Sequence, residues 1–142
     1  MEHKLMDIEI TQVVTTITSY VQGYNPKLVY TLVNKRITHR LFEKDNGNGY
    51  VNPGPGTVLD TALVEKQEDQ TFDFFLIPHK ATVATALPVH FKVVYNSSTM
   101  NKDQLETATF HMCYNYVNFA GSIKVPAACM YASKVANYAH EN

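Results

Sequence analysis

Asn52-Pro53-Gly54-Pro55-Gly56-Thr57-Val58-Leu59-Asp60 joins a segment that no regular element can hold to one that reads as a strand. Its prolines remove backbone donors and its glycines free φ, so the chain turns here instead of continuing a helix or a ladder. The stretch from Asp45 to Gly56 gathers most of the glycines and three asparagines, and it reads as an irregular loop. Thr57 then opens a strand candidate that runs to Val64. Asp60 rides on its beginning, where a rigid backbone fixes a carboxylate in space. Such a carboxylate suits Mg²⁺, which takes one or two carboxylates together with substrate phosphates. A lone aspartate at a loop–strand junction also serves as a turn or surface residue, and no second carboxylate lies close in sequence.

Downstream, Thr71 to Ile77 and His90 to Tyr95 are two further strand candidates. Asn101 is a helix cap, with Gln104 three residues on as its capping-box partner. Leu105, Ala108, Met112 and Tyr116 then form an apolar stripe at helical spacing, which Asn118 to Gly121 break. A short strand is expected around Ile123, and Pro126 suits the start of a last helix through Tyr138. Upstream, Leu28 to Val33 reads as a short buried strand. Before it, Leu5, Ile8, Val13, Val14, Ile17, Tyr20 and Val21 follow helical spacing despite many β-branched neighbours, with Gly23 and Asn25-Pro26 as a stop. The order of elements predicts one α/β domain over residues 1–142, with a mixed sheet flanked by helices.

Composition narrows the chemistry. At 45% hydrophobic and 18% charged residues, the 142-residue chain belongs with packed domains and not with disordered tails. No apolar run approaches the roughly 20 residues that span a bilayer, and the amino terminus lacks a signal-peptide pattern. The two cysteines, Cys113 and Cys129, read as free, inert thiols of a reducing, intracellular compartment, cytoplasmic or nuclear. Net charge is −1, which gives no general argument for a polyanionic partner. Distribution says more. Lys27, Lys35, Arg36 and Arg40 fall in one acid-free stretch and Lys124 and Lys134 in another, while Glu65, Glu68, Asp69 and Asp73 crowd the middle. Two basic stretches on one face would hold a phosphate backbone, and a solvated charged face would look the same. No phosphate-binding glycine loop or serine elbow is present. Tyr114, Tyr116 and Phe119 suit helix packing as well as base stacking, and His79, His90 and His111 read as structural.

Four strings together carry a family resemblance. They are Val33-Asn34-Lys35-Arg36 through Arg40-Leu41-Phe42; the loop and strand from Asn52 to Asp60; Phe72-Asp73-Phe74-Phe75-Leu76 with Pro88-Val89-His90-Phe91 and Val93-Val94-Tyr95; and Leu105 through Cys113-Tyr114-Asn115-Tyr116 to Val125-Pro126-Ala127-Ala128-Cys129-Met130-Tyr131-Ala132. In order and spacing they resemble the C-terminal half of the PIWI domain of Argonaute/Piwi proteins, closest to the Piwi branch. The resemblance implies a ribonuclease H-like fold, here its later portion, and a basic channel for a small guide RNA that selects a complementary target RNA by pairing. Active members cut the target with Mg²⁺ or Mn²⁺ held by two aspartates, a glutamate and a histidine.

Carried over by position, Asp60 falls on the second aspartate of that set and is the metal-ligand candidate. Lys35, Arg36 and Arg40 fall on the basic segment of the guide channel, and Lys124 and Tyr131 on the loop and helix start that also face nucleic acid. Ser133 replaces the histidine, and a hydroxyl is a poor metal ligand and proton-transfer group beside an imidazole. Lys134 is the neighbouring candidate for that role, although one step along a helix points about 100° away. The first aspartate and the glutamate belong to segments that would precede Met1, and the ending at His140-Glu141-Asn142 lacks the family's apolar tail. The expected function is therefore guide-RNA binding (piRNA-like) in RNA-mediated silencing, without cleavage or a bound metal in this chain alone. The alternative is a part of an active RNA-guided endoribonuclease whose other catalytic residues lie upstream. A sheet without its first strands would expose an edge, so self-association is expected as well.

Overall fold

The computed structural model describes residues 2–20, 23–61 and 71–141. Among the described residues, the helix α1 (Glu2–Tyr20) precedes six strands, and the helices α2 (Lys102–Met112) and α3 (Ala127–Glu141) follow them. The strands are β1 (Val29–Asn34), β2 (Glu43–Lys44), β3 (Tyr50–Val51), β4 (Thr57–Leu59), β5 (Phe72–Ile77) and β6 (Val89–Asn96). Four of them form one sheet in the order β1-β6-β5-β4. Every pairing in it is antiparallel, so the mixed α/β character lies in a sheet flanked by helices and not in strand direction. No described helix is long and apolar enough to cross a membrane.

β5 and β6 build the core because their residues alternate as the pleat demands. Phe72, Phe74 and Leu76 from β5, and Val89, Phe91 and Val93 from β6, share a face that Leu105 of α2 and Val125 close. The rings of Phe74 and Phe91, opposite each other in the register, stack at 5.1 Å. Each such fully buried side chain contributes about 1.5–3 kcal/mol of apolar transfer. The opposite face of β5 is also covered, so all six of its residues are buried. β1 and β4 are the edges. Accordingly β1 is half-buried, where the apolar run predicted a buried strand. A bulge at Tyr30/Thr31 shifts its register against β6.

Other expectations change in instructive ways. The glycine-rich stretch folds into a small hairpin, with β2 and β3 paired through Glu43–Val51 and Lys44–Tyr50. Its turn is closed by Asp45 N–H on Gly49 O at 2.9 Å and by Asn48 at φ 65°. β4 stops at Leu59; residues 62–64 of the expected strand, and Glu65, Glu68 and Asp69, lie outside the described residues. No strand forms at Ile123, whose N–H instead donates to Cys113 O at 2.9 Å and ties the loop to the end of α2. α2 buries Leu105, Glu106 and Thr109, followed by Cys113, while Met112 of the predicted stripe is exposed and Tyr116 falls beyond the helix. Thr109 tolerates burial because its hydroxyl donates to Leu105 O at 2.7 Å. In α1 the inward face is Ile10, Val14 and Ile17, while Ile8 and Tyr20 are exposed. Its β-branched residues are accommodated by back-bonding, as from Thr11 to Asp7 O at 2.6 Å and from Thr18 to Val14 O at 2.9 Å.

Candidate functional site

Asp60 follows β4 directly, and several local features aim it. Asn52 pins the preceding loop, its side chain donating to Ala84 O at 2.8 Å and accepting from Ala86 N–H at 2.9 Å. Gly56 has φ +88°, and a Cβ there would stand 3.3 Å from the ring of Phe110, so a side chain would be both strained and crowded. Its N–H donates to Ile77 O at 2.8 Å, which starts β4 in register with β5. The half-buried Asp60 carboxylate then meets Lys102, from the first turn of α2, at 2.7 Å from Oδ2 to Nζ. The same ammonium donates to the backbone O of Asp60 at 3.0 Å. One turn along α2 lies Glu106, 8% exposed, whose Oε1 is buried and has no hydrogen-bond partner among the described residues. Burial, then the charge of Asp60, pushes its carboxyl up to about 7, with Lys102 opposing and Asp103 adding.

The basic residues occupy a different region. Lys35, Arg36 and Arg40 lie on the exposed segment that leaves β1. Arg36 N–H donates to Asn34 Oδ1 at 3.3 Å, and Arg40 Nη1 donates to His39 O at 2.8 Å and Ile37 O at 3.2 Å. The His39 ring packs on Phe75 of β5 at 5.3 Å and so moors the segment to the sheet. Lys124, in the loop before α3, is half-buried close by. Burial, then Arg40 and Lys35, hold its ammonium below the usual lysine range. Burial and the charge of Lys124 likewise lower His79. Lys35 also acts on Cys129, so this segment reaches the first turn of α3, which holds no acidic residue to compensate its positive end. Among the described residues, none of Lys35, Arg36, Arg40 and Lys124 is paired with a carboxylate. Like charges left together in this way are favourable only when an anion joins them.

The remaining candidates sit on α3 and beside it. Tyr131 is partly exposed; its hydroxyl accepts from Val117 N–H at 3.1 Å and its ring lies 5.5 Å from Tyr116. Lys134 Nζ stands 5.2 Å from the Tyr116 ring centre. Tyr116 thus packs against α3 and not within α2. Ser133 is exposed, and its hydroxyl donates to Cys129 O at 3.0 Å along its own helix. Cys113 is fully buried, its thiol pushed up to about 12, first by burial. His90 stacks on Phe75 at 4.6 Å and meets Asp73 at 2.7 Å, a structural pairing across β5 and β6.

These residues, as they stand, do not fit a divalent metal. The Asp60 carboxylate is engaged by an ammonium, Ser133 is turned to its helix, and no cluster of three His, Cys, Asp or Glu side chains suited to a metal exists among the described residues. Sequence reading missed Lys102 and Glu106, because 42 residues separate Lys102 from Asp60. It also missed the link of His79 to Lys124. Only the helical position of Lys102, set by the Asn101 cap, was open to view.

The Piwi domain family model matches residues 2–142. Piwi-like protein Ago3 of Bombyx mori is 39% identical over 131 residues, covering 92% of this chain and 14% of that protein. Piwi-like protein 1 of Danio rerio is 35% identical over 136 residues, covering 96% and 15%. The crystal structure of Drosophila Piwi superposes with a TM-score of 0.77 at 29% identity, over 93% of this chain and 18% of that one. Kluyveromyces polysporus Argonaute with a guide RNA gives 0.71 at 25% identity, over 92% and 16%. The chain thus spans only 14% to 15% of the length of these two curated relatives.

Proposed function

The chain belongs to the Piwi domain family, and on that premise we propose that it supplies part of the guide-RNA channel of a small-RNA-guided silencing protein. Its fold is the ribonuclease H-like α/β fold of the PIWI lobe, with a sheet flanked by helices. The observation that carries the reading is the meeting of Lys124 with Arg40 and Lys35, from segments far apart in sequence, without a neutralising carboxylate among the described residues. Arg36 extends that face, and Tyr131 adds an aromatic edge on α3. The solved relative with a guide RNA supports RNA as the anion. In this reading the protein grips the backbone and base pairing with a target RNA carries the sequence information.

We read the chain as catalytically incomplete. Asp60 is neutralised by Lys102 and Ser133 offers no proton-transfer group, so no hydrolytic step is routed through either. The test is fluorescence anisotropy with a labelled single-stranded RNA across a salt series. With about four phosphates neutralised, affinity should fall roughly fiftyfold between about 50 and 200 mM salt. The Lys35→Glu, Arg40→Glu, Lys124→Glu triple variant should abolish that slope; an unchanged slope would rule out this face. Incubating the chain with guide-matched RNA and Mg²⁺ or Mn²⁺ tests the rest. Product that vanishes on Asp60→Ala would instead favour the nuclease reading.

A further inference from the structure

The two halves of the Lys124 face are fastened differently. Beside Lys124, Ile123 N–H donates to Cys113 O at 2.9 Å, so a backbone bond ties that loop to the end of α2. The half that carries Lys35, Arg36 and Arg40 has no helix or strand between Asn34, the end of β1, and Glu43, the start of β2. Its hydrogen bonds to and from side chains reach no further than three residues along the chain. Such bonds shape the segment without placing it on the sheet. A tie to the sheet comes from the ring of His39. Itself exposed, it lies 5.3 Å from the ring of Phe75, with the planes tilted by 53°. Phe75 is 4% exposed, and the ladders of β4 and β6 hold its backbone opposite Leu59 and His90. The His90 ring stacks on it at 4.6 Å and is itself fixed by Asp73 at 2.7 Å.

We infer, resting on the RNA reading of this face, that His39 is a positioning residue for RNA binding, an aromatic peg that presets segment 35–40 beside Lys124 before the ligand arrives. Arg40 shows how the peg acts, because its Nη1 donates to the carbonyl of His39 at 2.8 Å. Where the His39 ring fixes the backbone, the guanidinium follows. Lys35 and Arg40 also bear on the Lys124 ammonium, so the segment is set within electrostatic reach of the other half. A segment without such a tie would have to be ordered against that repulsion at each binding event, which weakens binding. A ring contact that needs no charge of its own offsets this cost within the folded chain. The contact is one of shape and apolar area, and another flat aromatic side chain would supply it. An imidazole that instead touched phosphate would act through its N–H groups, which a phenyl ring lacks.

The test is fluorescence anisotropy of the 142-residue chain with labelled single-stranded RNA across a salt series, with a thermal melt of each variant. His39→Ala should weaken binding about three- to tenfold at every salt concentration and leave the salt slope unchanged, since the same phosphates are engaged once the segment is ordered. His39→Phe should restore wild-type affinity. Both variants should melt at the wild-type temperature, because His39 is exposed. A wild-type chain that binds RNA while His39→Ala binds equally well would overturn the inference and leave the RNA reading standing. A His39→Phe variant as weak as His39→Ala would also overturn it, by making the imidazole a direct contact. So would a His39→Ala chain that melts early or does not fold, which would assign the ring to the architecture. Binding without salt dependence in the wild type would instead sink the RNA reading itself, and the role of His39 with it.

Discussion

At the Asp60 corner, a carboxylate is paired with the ammonium of Lys102, and Glu106 lies buried one turn along α2 with its carboxyl pushed toward the neutral form. At the Lys124 face, Lys35, Arg40 and Lys124 sit together with no carboxylate partner among the described residues. The two regions hold comparable numbers of charges, yet one is closed on itself and the other is open. Neutralised charge belongs to the architecture, because its partner is already in the fold. Repulsive charge that the fold leaves in place is what the proposed RNA contact requires, since nothing internal neutralises it.

The sharpest way to break this comparison is Lys124→Glu. RNA affinity should fall about thirtyfold or more, on the order of 2 kcal/mol, while the melting temperature does not fall, because the new carboxylate relieves Arg40 and Lys35. Anisotropy and thermal melts on one preparation separate the two effects; parallel losses would mean that the face is structural. The next effect is on pH. Unfolded, Glu106 ionises near 4.5, whereas in the fold it does so at about 7. Between these values the unfolded chain has lost a proton that the folded chain keeps, so stability falls as pH rises through the window and stays lower above it. Glu106→Gln should flatten that slope, by something on the order of 1–2 kcal/mol at pH 8. Denaturant melts from pH 4 to 8 would expose an unchanged slope. Smallest is Lys102→Met, which should cost up to about 1 kcal/mol, roughly 2–4 °C, and leave RNA affinity alone. A loss of RNA binding there would merge the two regions into one.

Much of this was legible in the sequence where the signal is local. β5, β6 and the Asn101 cap follow from alternation and capping chemistry within a few residues. The inward face of α2 was not legible, because Glu106 and Thr109 look like solvent residues by type, yet Thr109 is buried with its hydroxyl back-bonded to Leu105 O and Glu106 with its carboxyl pushed toward the neutral form. Ile123 has strand propensity but finds its partner in the turn after α2, and no ladder lies within reach. For the candidate site, the two acid-free basic stretches pointed to Lys35, Arg40 and Lys124, and the fold gathers them. The lysine on Asp60 could not be read, since tertiary approach alone makes that pair.

β5 runs through the middle of the sheet, paired with β6 from Phe72 to Leu76 and with β4 from Phe75 to Ile77, and buried along its whole length. A backbone so enclosed has no partial opening by which solvent can enter, so its amide protons exchange only when the whole sheet comes apart. The molecule therefore contains its own clock. Deuterium uptake at Phe74 and Leu76 reports the lifetime of the entire fold, against which any slower or faster breathing at the rim is measured.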